Sequence, residues 1–210
     1  WSDGKPVIAQ HFIDSFHRAL SPEIASPYAN LLSVMDLENS KAIDEHTLLI
    51  KLKFPATYFL LLTAQCFTYP IRLDLINKYA DNWVEAEHMV SNGRFLLKEW
   101  RHEYKIHLKA NPEYFLKDEL KSNLEELKFF MVPEQSSAFT LFKKGQFDWI
   151  DGGSIPSSEF NQLEKLRPLK SSLLRSTFLG FNTQKEPFNN ALVRKAFSYA
   201  INREELIKLR

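Results

Sequence analysis

Six histidines, one cysteine and 26 acidic residues are the side chains here that could hold a metal, attack a carbonyl or move a proton. Their spacing argues against each use. His11 and His17 lie six apart on a segment patterned as a helix, about 240° around its axis, so one face cannot offer both to one ion. His102 and His107 are separated by an odd number along a segment patterned as a strand and point to opposite faces. Cys66 is the only cysteine, which excludes an internal disulfide and a thiolate cluster. No G-x-S-x-G elbow occurs, and the six glycines form neither G-x-G-x-x-G nor a P-loop. Glu23, Asp36, Glu134 and Asp151 read as solvated carboxylates or caps rather than an acid–base pair. The expectation is a chain with no catalytic residue, no metal site and no cofactor.

Binding without chemistry is better supplied. Seventeen Phe, seven Tyr and four Trp exceed what a chain of 210 residues needs for its core. Most belong inside, with Phe129, Phe130, Phe139 and Phe142 assigned there by periodicity. A minority can wall a small-ligand cleft, which is built from apolar surface and a few placed polar groups. Tyr28 is the best candidate, because Ser26-Pro27 fixes an irregular lead-in and the ring offers a flat apolar body with a polar tip.

The 27 basic and 26 acidic residues leave a net charge of +1 with no Lys/Arg block, so nothing marks a nucleic-acid or anionic-membrane surface. The longest apolar run, Tyr58 to Leu62, is far short of the roughly 20 residues of a membrane helix. No signal peptide is legible at the start.

The elements that would position these groups alternate in type. Leu48, Ile50 and Leu52 share one face of a strand over His46 to Lys53, and Tyr104, Ile106 and Leu108 share one face of another. Leu127 to Val132 reads as a third strand, stopped by Pro133. Helices are expected over Ala9 to Leu20, Tyr58 to Leu62, Arg72 to Tyr79, Gln135 to Lys144, Ser157 to Leu166 and Leu192 to Ile201. The last carries one apolar stripe, Leu192, Val193, Ala196, Phe197, Ala200 and Ile201, and reads as a buried helix; Asn189 or Asn190 can cap it and Asn202 can cap the helix after it with Glu205. Interleaved strands and helices make this a mixed α/β chain. Candidate boundaries lie at Asn77 to His88 and near Leu179 to Asn182.

Several segments go further in combination. Asn182 to Arg203, Trp1-Ser2-Asp3-Gly4-Lys5-Pro6-Val7 with Phe12 following, Ser26-Pro27-Tyr28, Asp44-Glu45-His46-Thr47, Pro55 with Tyr58-Phe59, Ser91-Asn92-Gly93-Arg94-Phe95, Asn111-Pro112-Glu113-Tyr114-Phe115, and Gly145 with Asp148 occur in one order along the chain. This series resembles the oligopeptide- and dipeptide-binding proteins of ABC importers, bacterial extracellular solute-binding protein family 5. His11 stands where that pattern usually has Asp.

The resemblance implies a periplasmic-binding-protein type II-like α/β fold in its large three-domain version with mixed sheets, only partly covered. It implies residues 1–80 as most of the small second domain, 81–178 as part of the first, and 179–210 as the start of the third after a hinge crossing. The chain then reads as an internal fragment of a protein at least twice as long, without its export signal or any lipid-anchor cysteine, and expected by itself to bind peptide weakly or not at all. The implied activity is non-enzymatic capture of an oligopeptide or dipeptide by two closing lobes and delivery to an ABC permease, by a monomer in the periplasm or another extracytoplasmic site. The implied ligand-facing positions are Tyr28, Gln65, Asn92, Gly93, Asp151, Gly152 and Phe178. Gln65 replaces a histidine of some members, and Gly152 replaces an asparagine and would widen a subsite. The same fold binding nickel, haem, an oligosaccharide or a cell-wall peptide is the alternative, as is a peptide receptor or chaperone outside transport.

Overall fold

The computed structural model describes residues 1–119, 123–166 and 178–208. The chain divides into two compact units, Trp1–Met131 and Val132–Arg210.

The first unit opens with helix α1, Ala9–Leu20, whose stripe of Ala9, Ile13, Phe16 and Ala19 is buried. A 3₁₀ turn over Ala29–Val34 leads into β1, Met35–Ala42, which pairs antiparallel with β2, Leu48–Leu52. Ile13, Phe16, Ala19, Leu32, Val34 and Met35 form the core between them, and Leu48, Ile50 and Leu52 pack onto it as their alternation predicts. β1 is not legible as a strand in the sequence, because its register slips between Asp36 and Lys41 and breaks the two-residue period. Ser40 fills the slip: its hydroxyl donates to the Asp36 carbonyl at 2.7 Å and accepts from the Lys51 N–H at 2.9 Å.

Two helices follow, α2 over Phe59–Leu62 and α3 over Leu73–Tyr79. Then comes a three-stranded antiparallel sheet of β3, Phe95–Arg101, β4, Lys105–Ala110, and β5, Glu126–Phe130, in the order β3-β4-β5. A second register slip, between Leu97 and Glu99, hides β3 from a period count. His102 lies in the turn between β3 and β4 rather than on a strand, and Glu103 in that turn has a left-handed φ of 58°.

Two expectations fail in this sheet. Phe129 and Phe130 are exposed, at 49% and 40%, because the described residues do not close over the β5 positions they occupy. On β4 the most buried residue is His107, from the face read as polar. Its Nε2 lies 3.0 Å from a Glu126 oxygen. Lys98 donates to the other Glu126 oxygen at 2.9 Å, and Lys98 first and His107 second hold that carboxyl down at about 2.

The second unit contains α4, Gln135–Lys143, capped by the Glu134 carboxylate, which accepts from the Ser137 N–H at 2.6 Å. Phe139 is its buried anchor, and Phe142 lies partly covered, its ring 6.4 Å from that of Phe139. Ser157–Leu166 is helical as expected but winds as 3₁₀. The residues leading into the candidate boundary near Leu179 to Asn182 fall largely outside the described residues. Helices α5, Ala191–Ala200, and α6, Arg203–Lys208, complete the unit. Their caps are as read: Asn190 accepts from the Leu192 N–H at 2.9 Å and Asn202 from the Glu205 N–H at 3.2 Å. Among the described residues the stripe on α5 is only partly covered: Phe181 and Phe188 pack on Phe197, while Leu192 is exposed.

Candidate functional site

Tyr28 ends the Ser26-Pro27 lead-in and begins the 3₁₀ turn of Ala29–Val34, whose Leu32 and Val34 are sealed in the core. The Ser26 hydroxyl accepts from the Tyr28 N–H at 3.3 Å and fixes the approach. The ring, 49% exposed, stacks on Phe67 with centroids 5.1 Å apart and planes 15° from parallel. One face is thus held by another aromatic ring. The arrangement can offer flat apolar surface and a phenolic hydroxyl without further ordering of the side chain.

Gln65 belongs to the same patch. It precedes the 3₁₀ turn Cys66–Thr68, which carries the stacking Phe67, and its carbonyl accepts from the buried Thr68 hydroxyl at 2.7 Å. That bond leaves the amide side chain in solvent and sets the backbone under it. Cys66 beside it is an exposed free thiol.

Asn92 and Gly93 lie in a second, tightly tied place. The Gly93 N–H donates to the Ser91 hydroxyl at 2.9 Å, and a Cβ at Gly93 would come within 3.2 Å of that oxygen. Asn111, buried, donates from its side chain to the Gly93 carbonyl at 2.8 Å and from its backbone to the Arg94 carbonyl at 2.8 Å. The Trp1–Gly4 turn is laced to it as well: Ser2 N–H donates to the Ser91 carbonyl at 2.8 Å and the Ser91 N–H to the Ser2 hydroxyl at 3.2 Å. Sequence reading singled out the three motifs separately and missed that Asn111 and Ser2 position Gly93. The signal was a buried-type Asn ahead of a proline, a residue whose amide satisfies two backbone groups at once.

Asp3 of the Trp1–Gly4 turn belongs to a charge cluster centred on Arg72. Arg72 is 3% exposed and donates in a fork to both Asp74 oxygens at 2.8 and 2.7 Å and to Asp3 at 2.7 Å. The hydrogen bonds from Arg72 hold the Asp74 carboxyl well below its usual range. At Asp3, burial pushes the carboxyl up, but the bonds from Arg72 and the Lys5 N–H outweigh it. The arrangement is a clamp and leaves no oxygen poised for proton transfer.

Asp151 and Gly152 lie in the second unit, where the Asp151 carbonyl accepts from the Ser154 N–H at 2.9 Å to close the turn Gly152–Ser154. The Gln135 side chain donates to the Gly153 carbonyl at 2.8 Å and fastens the turn to α4. A Cβ at Gly152 would meet nothing within 4 Å. Phe178 is 84% exposed. The structure therefore brings Tyr28 and Gln65 onto one patch and Asn92 and Gly93 into one turn, with Asp151 and Gly152 on a turn of their own.

The chain is a mixed α/β one, with a two-stranded and a three-stranded antiparallel sheet and helices between and after them. It superposes on the structure of a periplasmic oligopeptide-binding protein of an oligopeptide ABC transporter from Borrelia burgdorferi with a TM-score of 0.83, at 27% identity over 99% of this chain and 44% of that one. The fold is the type II periplasmic-binding-protein-like one, covered in part. The model of bacterial extracellular solute-binding proteins, family 5 middle, matches residues 1–210, and the chain belongs to that family. Among curated relatives, the periplasmic oligopeptide-binding protein OppA of Escherichia coli (strain K12) is 30% identical over 99% of this chain and 41% of its own length. The probable deoxycholate-binding periplasmic protein YgiS of the same organism is 29% identical over 97% of this chain and 41% of its own length. The chain thus spans about two fifths of the length of these relatives.

Proposed function

We propose that the protein carrying this chain is the extracytoplasmic solute-binding component of an ABC importer, capturing oligopeptides or dipeptides and handing them to a membrane permease. The family match across residues 1–210 carries this reading. The geometry supports it through Tyr28, which is held flat by Phe67 and stands half in solvent on a buried core. In this reading residues 1–80, 81–178 and 179–210 contribute to the second, first and third domains. Tyr28, Gln65, Asn92, Gly93, Asp151, Gly152 and Phe178 face the ligand. Two lobes close by hinge motion on an extended peptide held by strand-like backbone hydrogen bonds, with no covalent step. The protein works as a monomer, in the periplasm or anchored by lipid outside the cytoplasm.

Titration of the full-length protein with a defined set of short peptides tests this. Tyr28→Ala is expected to weaken binding about tenfold or more, the loss typical of an aromatic anchor in a well-packed place. Unchanged peptide affinity in that variant removes Tyr28 from the site, and no measurable peptide binding by the native protein defeats the reading. A second reading, an amphipathic steroid-like solute, is favoured by the similarity to a probable deoxycholate-binding protein. Saturable deoxycholate binding without peptide competition would select it.

A further inference from the structure

Helix α1 begins without an ordinary cap. Its N-cap residue is Ile8, which has no side-chain acceptor, so only the return half of a capping box can form. His11 supplies it. The Nδ1 of His11 accepts from the Ile8 N–H at 3.1 Å and, at the same nitrogen, from the Trp1 indole N–H at 3.2 Å. The two rings meet edge to face with centroids 5.4 Å apart. A nitrogen that accepts from two N–H groups must carry a lone pair, which fixes His11 as the neutral tautomer with its proton on Nε2.

We propose that His11 is a proton-controlled latch, which in its neutral form ties the Trp1–Gly4 turn to the first turn of α1 and in its protonated form releases both. Protonation puts a hydrogen on Nδ1, and each of the two N–H donors then faces another donor. The surrounding charges add to the effect. The Arg72 guanidinium lies over the Trp1 ring, 5.8 Å from its centroid, so an imidazolium would form beside an almost fully buried cation. Asp14 on α1 and Asp74 on the facing segment favour the cation, while Asp3 and Lys5 are engaged with Arg72 and Asp74. The balance falls against the charge: burial first and Arg72 second hold the imidazole below its ordinary range. A group depressed in the folded state stabilises it fully above its unfolded pKa of about 6.5 and loses that contribution as pH falls through the folded value.

The consequence reaches the candidate site, because the Trp1–Gly4 turn holds Ser91 through Ser2, and Ser91 holds Gly93. Mild acidification therefore loosens the turn that carries Asn92 and Gly93. This does not rest on the identity of the ligand.

The test is nitrogen-15 NMR of the full-length protein from about pH 8 to about pH 5, following the His11 ring nitrogens, the Trp1 indole N–H and the Ile8 amide. The expected result is a neutral Nε2–H tautomer at high pH, with the indole and amide signals moving together at the His11 midpoint. In His11→Asn, whose side-chain oxygen accepts without titrating, both signals should stay fixed over the same range. A proton on Nδ1 at high pH in the native protein would overturn the latch, and needs no variant to be seen. So would indole and amide signals that ignore the His11 titration, or that titrate equally in His11→Asn.

Discussion

The Ala9–Leu52 region and the β3-β4-β5 sheet of the same unit are built in different ways. The first encloses a core of its own, where Phe16 and Leu32 are sealed and the inward faces of α1 and β2 meet. The second is held by backbone pairing and by charge, with Glu126 gathering Lys98, His107 and Lys128, and Lys105 pairing with Glu99 at 2.7 Å. A flat ring such as Tyr28 can be presented rigidly only by a region of the first kind, because its backbone turn is anchored by buried neighbours. A sheet of the second kind keeps its strands in register while leaving aromatic side chains available to other surfaces.

This contrast can be broken most decisively at Phe16, 2% exposed at the centre of the core. Phe16→Ala in the full-length protein is expected to cost about 3–5 kcal/mol, the transfer term plus the cavity. A loss below about 1 kcal/mol by chemical denaturation would show that the core is not what holds this region. Next comes Arg72→Met. It leaves the Asp3 and Asp74 carboxylates without their partner, and because both are partly in solvent the expected cost is about 2 kcal/mol rather than the full penalty of a buried pair. The sign with pH is checkable. These carboxyls are held down by Arg72, so its contribution is present above the ordinary carboxylate range and lost as pH falls below that range through their lowered folded values. Arg72→Met should therefore flatten the acid limb of the stability curve. The smallest effect belongs to Phe129→Ser, expected to stay within about 1 kcal/mol because the side chain is half in solvent. A loss as large as at Phe16 would mean that the sheet face is packed after all and would erase the comparison.

The same contrast explains what the sequence made legible. Where one face of an element is buried by its neighbours, period and burial agree: α1 has the expected bounds, and β2 turns Leu48, Ile50 and Leu52 inward. The polar caps Asn190 and Asn202 were readable for a local reason, since a cap is specified within four residues. β1 and β3 escaped because a register slip shifts the alternation midway along each. Phe129 and Phe130 misled because an apolar run reports that both faces of a strand are apolar, and says nothing of whether either is covered. Of the candidate site, the irregular lead-in to Tyr28 was legible from Ser26-Pro27. The stack of Tyr28 on Phe67, and the ties from Asn111 and Ser2 to the Gly93 turn, join residues far apart in the chain and leave no local pattern.

We propose that the full-length protein captures peptides without a chemical step. Native mass spectrometry of the full-length protein as purified, followed by denaturing release of what it carries, tests this most directly. The account predicts release of intact peptides of mixed sequence and narrow length range. A single non-peptide species, or peptides cleaved during incubation with the protein, would contradict it.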